Sequence, residues 1–178
     1  IYCLAPKLDQ AKIVYGNFWE MVKSEPELKE NAKKRRSDIY IADYNNTIQP
    51  IAFNAKKSDG FNPNLTVCDE MAAWSGDAGL KQYEVMKSAL GARKQPIILS
   101  LSTAGYVNDG IYDELMKRST AFLKGRSKER RLLPFLYIID DVEKWDDIKE
   151  LMKSNPNLGV SVQPDFYQEE IAVAKGSL

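Results

Sequence analysis

The segment Leu65-Thr66-Val67-Cys68-Asp69-Glu70-Met71 places a short, mostly apolar run directly before two adjacent acids. Such a run is typical of a buried strand, and the acids mark the point where the strand reaches the surface. Strands alternate with helical patterns on both sides of this segment. That alternation predicts a layered α/β domain with a mostly parallel central sheet.

The remaining elements follow from the spacing of apolar residues. Strands are predicted at 1–5, 38–43, 47–53, 65–68, 96–101 and 132–139. Helices are predicted at 9–24, 25–31, 79–90, 109–123, 146–153 and 164–174, with Asp9 as the N-cap of the first. The strands around Tyr44-Asn45-Asn46 are expected to form a hairpin at a sheet edge. We expect one domain over residues 1–178.

The composition excludes several kinds of protein. Lysine plus arginine equals aspartate plus glutamate at 25 each, so the chain lacks the overall positive charge of a non-specific DNA-coating protein. The absence of histidine excludes histidine-based general bases and metal sites. Cys3 and Cys68 lie in apolar runs, which favours buried free thiols and a reducing cytoplasm. No apolar segment is long enough to cross a membrane.

Asp69 and Glu70 form a carboxylate pair at the end of a predicted strand, which is the Walker B pattern of ATPases. In this chemistry the first acid holds Mg²⁺, and the second orients and deprotonates the attacking water. The strand fixes both groups more firmly than a loop would. A strand that simply ends in acids, with Asp69 capping the next turn, explains the same residues. The motif alone leaves both interpretations open.

The strand predicted at 96–101 runs into Ser102-Thr103-Ala104-Gly105. Small hydroxyl residues at a strand tip beside the acids fit a sensor that detects the γ-phosphate and passes its loss to DNA-gripping parts. The same residues also favour an ordinary turn. Their position one helix and one strand after the acids favours the sensor.

Taken in order, several blocks resemble the large terminase subunit of tailed phages. They are residues 57–63 (KSDGFNP), 67–70 (VCDE), 91–96 (GARKQP), 102–105 (STAG), Trp145 and 155–161 (NPNLGVS). Residues 2–6, with Gln10 and Ala11, resemble the segment that follows the helix after the family's phosphate-binding loop. Large terminases combine an N-terminal ATPase, which pumps DNA into the capsid through a portal ring, with a C-terminal nuclease.

The resemblance implies a three-layer P-loop NTPase-like fold and specific residue roles. Asp69 would coordinate Mg²⁺ through a water, and Glu70 would be the catalytic acid. The motif that couples hydrolysis to movement would consist of Ser102, Thr103 and Gly105.

The resemblance also suggests a phosphate contact and a set of partners. Arg93 is a candidate for contacting phosphate in trans, but a surface arginine in a helix-to-strand loop is the favoured explanation. The implied ligands are ATP and Mg²⁺. The implied partners are double-stranded phage DNA, the portal protein, the small terminase subunit and neighbouring copies in a ring, in the cytoplasm of the host.

The sequence departs from the family pattern in two ways. It contains no G-x-x-x-x-G-K-[ST] loop, which the resemblance places just before Ile1, and no nuclease domain. Because the chain opens in an apolar run without an initiator Met, we expect a fragment that lacks the first strand–loop–helix unit and exposes an unpaired strand edge. Such a fragment is expected to bind Mg·ATP weakly and to be inactive, since the loop supplies most phosphate binding.

Two further groups have both a functional and an ordinary explanation. Asp140-Asp141 and Asp146-Asp147 match the acids of a two-metal nuclease, but a solvated loop and a helix cap explain them adequately. The aromatic residues match base-stacking platforms, but packaged DNA keeps its bases paired. Core packing or loop anchoring is therefore favoured for Phe18, Trp19, Trp74 and Trp145.

Two basic blocks, at residues 33–36 and 124–131, are candidate DNA contacts. Lys29, Lys56 and Lys57 lie near the first of them in sequence. Both blocks are predicted to be loops, where charge is normally just solvated.

Three functions compete on the sequence alone. The first is the motor ATPase of a large terminase. The second is a helicase-like ATPase of the same broad class, which does not predict the blocks at 91–96 and 155–161. The third is a non-catalytic prophage remnant that binds packaging partners, for which the missing phosphate-binding loop is the main support.

Overall fold

The computed structural model describes residues 1–52, 60–106 and 109–177. The chain divides into two compact units, Ile1–Lys117 and Arg118–Leu178. A single domain over residues 1–178 stays a prediction. No helix in the described ranges is both long and apolar enough to cross a membrane.

The first unit contains all the strands found in the described residues. They are β1 Tyr2–Ala5, β2 Ala32–Lys34, β3 Ile39–Ile41, β4 Asn46–Ala52, β5 Leu65–Cys68 and β6 Ile97–Ser100. The helices of the chain are α1 Leu8–Ser24, α2 Pro26–Asn31, α3 Gly76–Ala89, α4 Ile111–Leu123, α5 Ile148–Ser154 and α6 Pro164–Ser177.

The strands form one six-stranded sheet in the order β2-β3-β4-β1-β5-β6. β1 is parallel to both β4 and β5, and β5 is parallel to β6. The antiparallel strands β2, β3 and β4 occupy one side of the sheet. The predicted α/β class, the mostly parallel centre and the hairpin at the edge are confirmed.

The side chains of β1 alternate between two hydrophobic cores, one on each face of the sheet. Cys3 packs with Tyr15 of α1, whereas Leu4 packs with Cys68 and with residues of α3. Helices therefore cover both faces, which gives the predicted three layers. Both cysteines are free and buried, as predicted, and they belong to different cores.

Three local predictions were wrong. The N-cap of α1 is Lys7 rather than Asp9, because the Gln10 side chain accepts a hydrogen bond from the Lys7 amide at 3.2 Å and the helix begins earlier. Lys33 and Lys34 were predicted to lie in a loop but belong to β2, where pairing with β3 outweighs their low strand propensity. Residues 132–139 form no strand in the described structure, because a strand requires hydrogen bonds to a neighbour and none pairs there.

At the other side of the sheet, β6 has an open edge in the described structure. Its apolar side chains are unusually accessible for a parallel strand, with Ile97 58% and Leu99 46% exposed. This matches the unpaired strand edge expected from the sequence.

Candidate active site

Asp69 and Glu70 lie immediately after β5, at the carboxyl ends of the parallel strands. The Asp69 amide donates a hydrogen bond to the Leu4 carbonyl at 2.8 Å, and the Leu101 amide donates to the Cys68 carbonyl at 2.8 Å. The backbone before the acids is therefore held from β1 on one side and from the end of β6 on the other. Both acidic residues are half-buried.

Glu70 adopts a left-handed backbone conformation, with φ 56° and ψ 45°. This conformation costs a non-glycine residue about 1–2 kcal/mol. It turns the chain into a 3₁₀ helix at Met71–Ala73, which the Ala73 amide closes by donating to the Glu70 carbonyl at 2.9 Å. The strained residue is also the predicted catalytic acid, and strain of this kind is common at active sites.

Trp74 ties the end of this turn back to its beginning. Its side chain is buried, and its Nε1 donates a hydrogen bond to the Asp69 carbonyl at 2.9 Å. Its amide donates to the Met71 carbonyl at 3.1 Å. The ring thus serves core packing, as expected from the sequence, and also fixes the peptide that carries the first acid. Nothing in the sequence pattern indicated this second role.

The segment after β6 contacts the same turn. The Met71 amide donates to the Leu101 carbonyl at 3.2 Å, and the Ala72 amide donates to Ser102 Oγ at 2.9 Å. Ser102 Oγ in turn donates to the Thr103 carbonyl at 2.8 Å. The predicted coupling residues and the predicted catalytic acids therefore lie side by side.

The two predicted hydroxyl sensors differ in their surroundings. The Ser102 hydroxyl both accepts and donates a hydrogen bond within the protein. No such partner is found for the Thr103 hydroxyl among the described residues, and Thr103 is exposed. Of the two, Thr103 has the hydroxyl that is available to a ligand.

The carboxylates of Asp69 and Glu70 form no ion pair with any lysine or arginine in the described ranges. Two adjacent, half-buried negative charges without a cation fit a site for a divalent ion. Mg²⁺ in phosphoryl-transfer sites is held by one or two carboxylates, with waters and phosphate oxygens as the other ligands. Asp69, the first acid after the strand, can supply such a ligand.

Arg93 lies at the opposite end of the sheet from the acids. Its guanidinium donates to the Asn62 carbonyl at 2.9 Å, next to the point where the Ile97 amide binds the Asn64 carbonyl. These contacts precede β5 and β6, whereas Asp69 follows β5. Arg93 therefore cannot reach a phosphate held by the acids of the same chain, and a contact in trans stays a prediction.

The first basic block is partly occupied by contacts within the protein. Lys34 lies over the rings of Tyr15 and Trp19, with Nζ 5.8 and 5.7 Å from the ring centres. Arg35 forms two hydrogen bonds with the buried Asp38, at 2.5 and 2.8 Å. Only Lys33 and Arg36 of this block remain for other contacts in the described structure. Lys56 and Lys57 lie outside the described residues.

The second basic block, residues 124–131, follows α4 and is largely exposed. Glu129 within it accepts hydrogen bonds from Arg118 at 3.2 and 2.7 Å. DNA contact by either block stays a prediction.

The acids of the second unit have structural partners. Asp147 caps α5, and Asp141 caps a short 3₁₀ turn. Asp140 binds Lys153 at 2.6 Å, and Asp146 binds Lys175 at 2.5 Å. No group of three or more potential metal ligands was found in the described part of the chain. The ordinary explanation of these acids is therefore the supported one.

Comparison with known proteins establishes the family. The family model described as terminase large subunit, ATPase domain, matches residues 1–120. The chain belongs to this family. The matched range includes the acids and the 102–105 segment, but neither Trp145 nor the block at 155–161.

The chain is also similar to one curated protein and to one solved structure. The chain is 32% identical over 122 residues to Protein YmfN of Escherichia coli (strain K12), a match that covers 68% of this chain and 26% of that protein. The crystal structure of the HK97 bacteriophage large terminase superposes with a TM-score of 0.79 and 18% identity, over 99% of this chain and 36% of that one. At this identity the second likeness shows the fold alone. The chain spans well under half the length of either protein.

Proposed function

We propose that this chain forms the acidic side of the ATP-hydrolysing site of a phage DNA-packaging motor. The observation that carries the proposal is the pair Asp69–Glu70, half-buried and without a cationic partner in the described ranges, at the carboxyl end of β5. The family match supplies the class of reaction.

In this proposal each residue has a defined task. A bound Mg²⁺ ion would supply positive charge that neutralises the phosphates of ATP. Asp69 would hold this ion, most simply through a water, and Glu70 would orient the attacking water and accept its proton. The exposed Thr103 hydroxyl would be available to the nucleotide, while Ser102 binds the turn that follows both acids.

The sequence has no phosphate-binding loop, so these residues supply only part of a site. In the complete motor we propose that the strand preceding that loop pairs with the open edge of β6. Pairing there would cover Ile97 and Leu99 and would bring backbone amides beside the acids.

The other partners follow from the same proposal. The motor acts on double-stranded phage DNA with the portal protein and the small terminase subunit, as a ring of copies in the host cytoplasm. Arg93 of one copy is the candidate for reaching a phosphate bound by the next.

Hydrolysis by the full-length gene product tests the proposed roles. Glu70→Gln should lower kcat by about a hundredfold or more while ATP still binds, because only the proton acceptor is lost. Asp69→Asn should raise the Mg²⁺ concentration needed for half-maximal rate. Glu84→Gln, an exposed acid on α3, is the matched control. Wild-type activity in Glu70→Gln would refute the assignment.

A second candidate function is a non-catalytic module that binds packaging proteins. Calorimetric titration of the 178-residue chain with Mg·ATP measures how much nucleotide binding these residues provide without a phosphate-binding loop. We expect binding in the millimolar range or none, and micromolar binding would contradict the idea that the loop is essential. A full-length gene product that binds portal protein but never hydrolyses ATP would favour the second candidate.

A further inference from the structure

Ala72 lies between the predicted catalytic acids and the 102–105 segment. Its amide donates to Ser102 Oγ at 2.9 Å. Its methyl group lies where a side chain on Gly105 would have to go, since a Cβ built on Gly105 falls 2.5 Å from Ala72 Cβ. Residues 102 and 105 therefore contact Ala72 in two different ways, by a hydrogen bond and by close packing.

The need for glycine at position 105 is steric. Gly105 is not among the glycines with positive φ, which are Gly60, Gly76, Gly125 and Gly159. An alanine could adopt its backbone conformation, but its methyl group would overlap that of Ala72 by far more than ordinary contacts allow. The contact is therefore a fit between one small residue and one glycine.

The turn that carries Ala72 is short, directly follows Glu70 and is closed by hydrogen bonds at both ends. Ala72 is two residues from Glu70, within the 3₁₀ turn closed by the Ala73 amide on the Glu70 carbonyl at 2.9 Å. The indole of Trp74 holds the Asp69 carbonyl at 2.9 Å. A displacement of Ala72 is therefore expected to move the backbone of Glu70 as well.

We propose that Ala72 is a positioning residue, the joint through which the 102–105 segment and the acid-bearing turn move together. This inference rests on the proposed function of Asp69 and Glu70. In the motor, a movement of the 102–105 segment when the γ-phosphate is lost would displace the turn. A movement of that segment imposed by bound DNA would in turn shift Glu70.

A compensating pair of substitutions tests the joint in the full-length gene product. Gly105→Ala should lower kcat about a hundredfold, the scale expected for an ångström-sized displacement of a catalytic group, with little change in KM. Ala72→Gly in the same protein removes the opposing methyl group and should recover kcat to within about tenfold of wild type. Gly16→Ala, in α1 with nothing near its added methyl group, should have no effect.

A third variant covers the case in which Gly105→Ala does not fold. Ser102→Ala removes the hydrogen bond without a clash and should lower kcat about tenfold with KM unchanged. The proposal is overturned if the double variant is no more active than Gly105→Ala, or if both Gly105→Ala and Ser102→Ala have wild-type kcat.

Failure of the joint and failure of the proposed function give different results. If the wild-type protein does not hydrolyse ATP, the proposed function fails. The packing contact on which the joint depends is then tested by measuring the melting temperatures of the same variants. Recovery of the melting temperature in the double variant supports the contact between Ala72 and Gly105, whereas additive losses refute it.

Discussion

Trp74→Phe isolates the hydrogen bond that holds the peptide of the first acid. Phenylalanine keeps most of the buried aromatic volume but lacks the indole N–H that binds the Asp69 carbonyl at 2.9 Å. Leaving a carbonyl without its partner costs about 1–3 kcal/mol. The smaller ring leaves a cavity that adds about 1 kcal/mol. We therefore expect the free energy of unfolding to fall by about 2–4 kcal/mol.

Urea unfolding followed by far-ultraviolet circular dichroism measures this loss without depending on the tryptophan signal. Trp145→Phe is the matched control, because Trp145 is half-buried and its side chain has no hydrogen bond in the described structure. It should lose much less. If Trp74→Phe unfolds at the wild-type urea concentration, or if both variants lose the same stability, the bond to Asp69 does not hold the turn.

The remaining predictions concern two buried thiols and one buried carboxylate. Burial raises the pKa of the Cys68 thiol to about 12 and that of Cys3 to about 11, so iodoacetamide should label neither thiol until urea unfolds the chain, as measured by mass spectrometry. Since both folded-state pKa values lie above the ordinary 9.0, the unfolded thiols lose protons first, and the melting temperature should fall as the pH rises above that value. Labelling of the native protein at the unfolded rate would contradict this burial. Arg35→Gln should lower the melting temperature, because the buried Asp38 carboxylate loses the two hydrogen bonds that Arg35 donates to it. The control is Arg36→Gln, at the neighbouring exposed position, which should leave the melting temperature unchanged. Equal effects of the two substitutions would show that the Arg35–Asp38 pair does not stabilise the fold.

The spacing of apolar and charged residues was sufficient to predict the elements whose side chains form the hydrophobic core. The strand at 65–68 was predicted with the observed bounds because an apolar run stops abruptly at two acids. Strand membership of Lys33 and Lys34 was not predictable, because it depends on pairing with β3 and on the rings of Tyr15 and Trp19. The pairing with β3 is local, but a run of basic residues carries no strand signal of its own, and the two rings belong to a helix that precedes the block.

The candidate site shows the same division. Parallel strands bring their carboxyl ends together, so the proximity of the acids and the 102–105 segment followed from the order of elements. The individual contacts between the acids and this segment could not be predicted in this way. The alanine at position 72 has no chemical signature in the sequence, and the bond from the Trp74 indole to a main-chain oxygen depends on a turn that only the folded chain defines.

The left-handed backbone at Glu70 sets stability and chemistry against each other at one position. Glycine or asparagine would adopt φ 56° with less strain, so a library screened only for heat resistance should drift toward those residues. Under the proposed function, a library of the full-length gene product screened for ATP hydrolysis should keep glutamate and accept the lower melting temperature. Substitutions that raise the stability of this chain would therefore have to be sought elsewhere in the fold, with the strained backbone at Glu70 left unchanged.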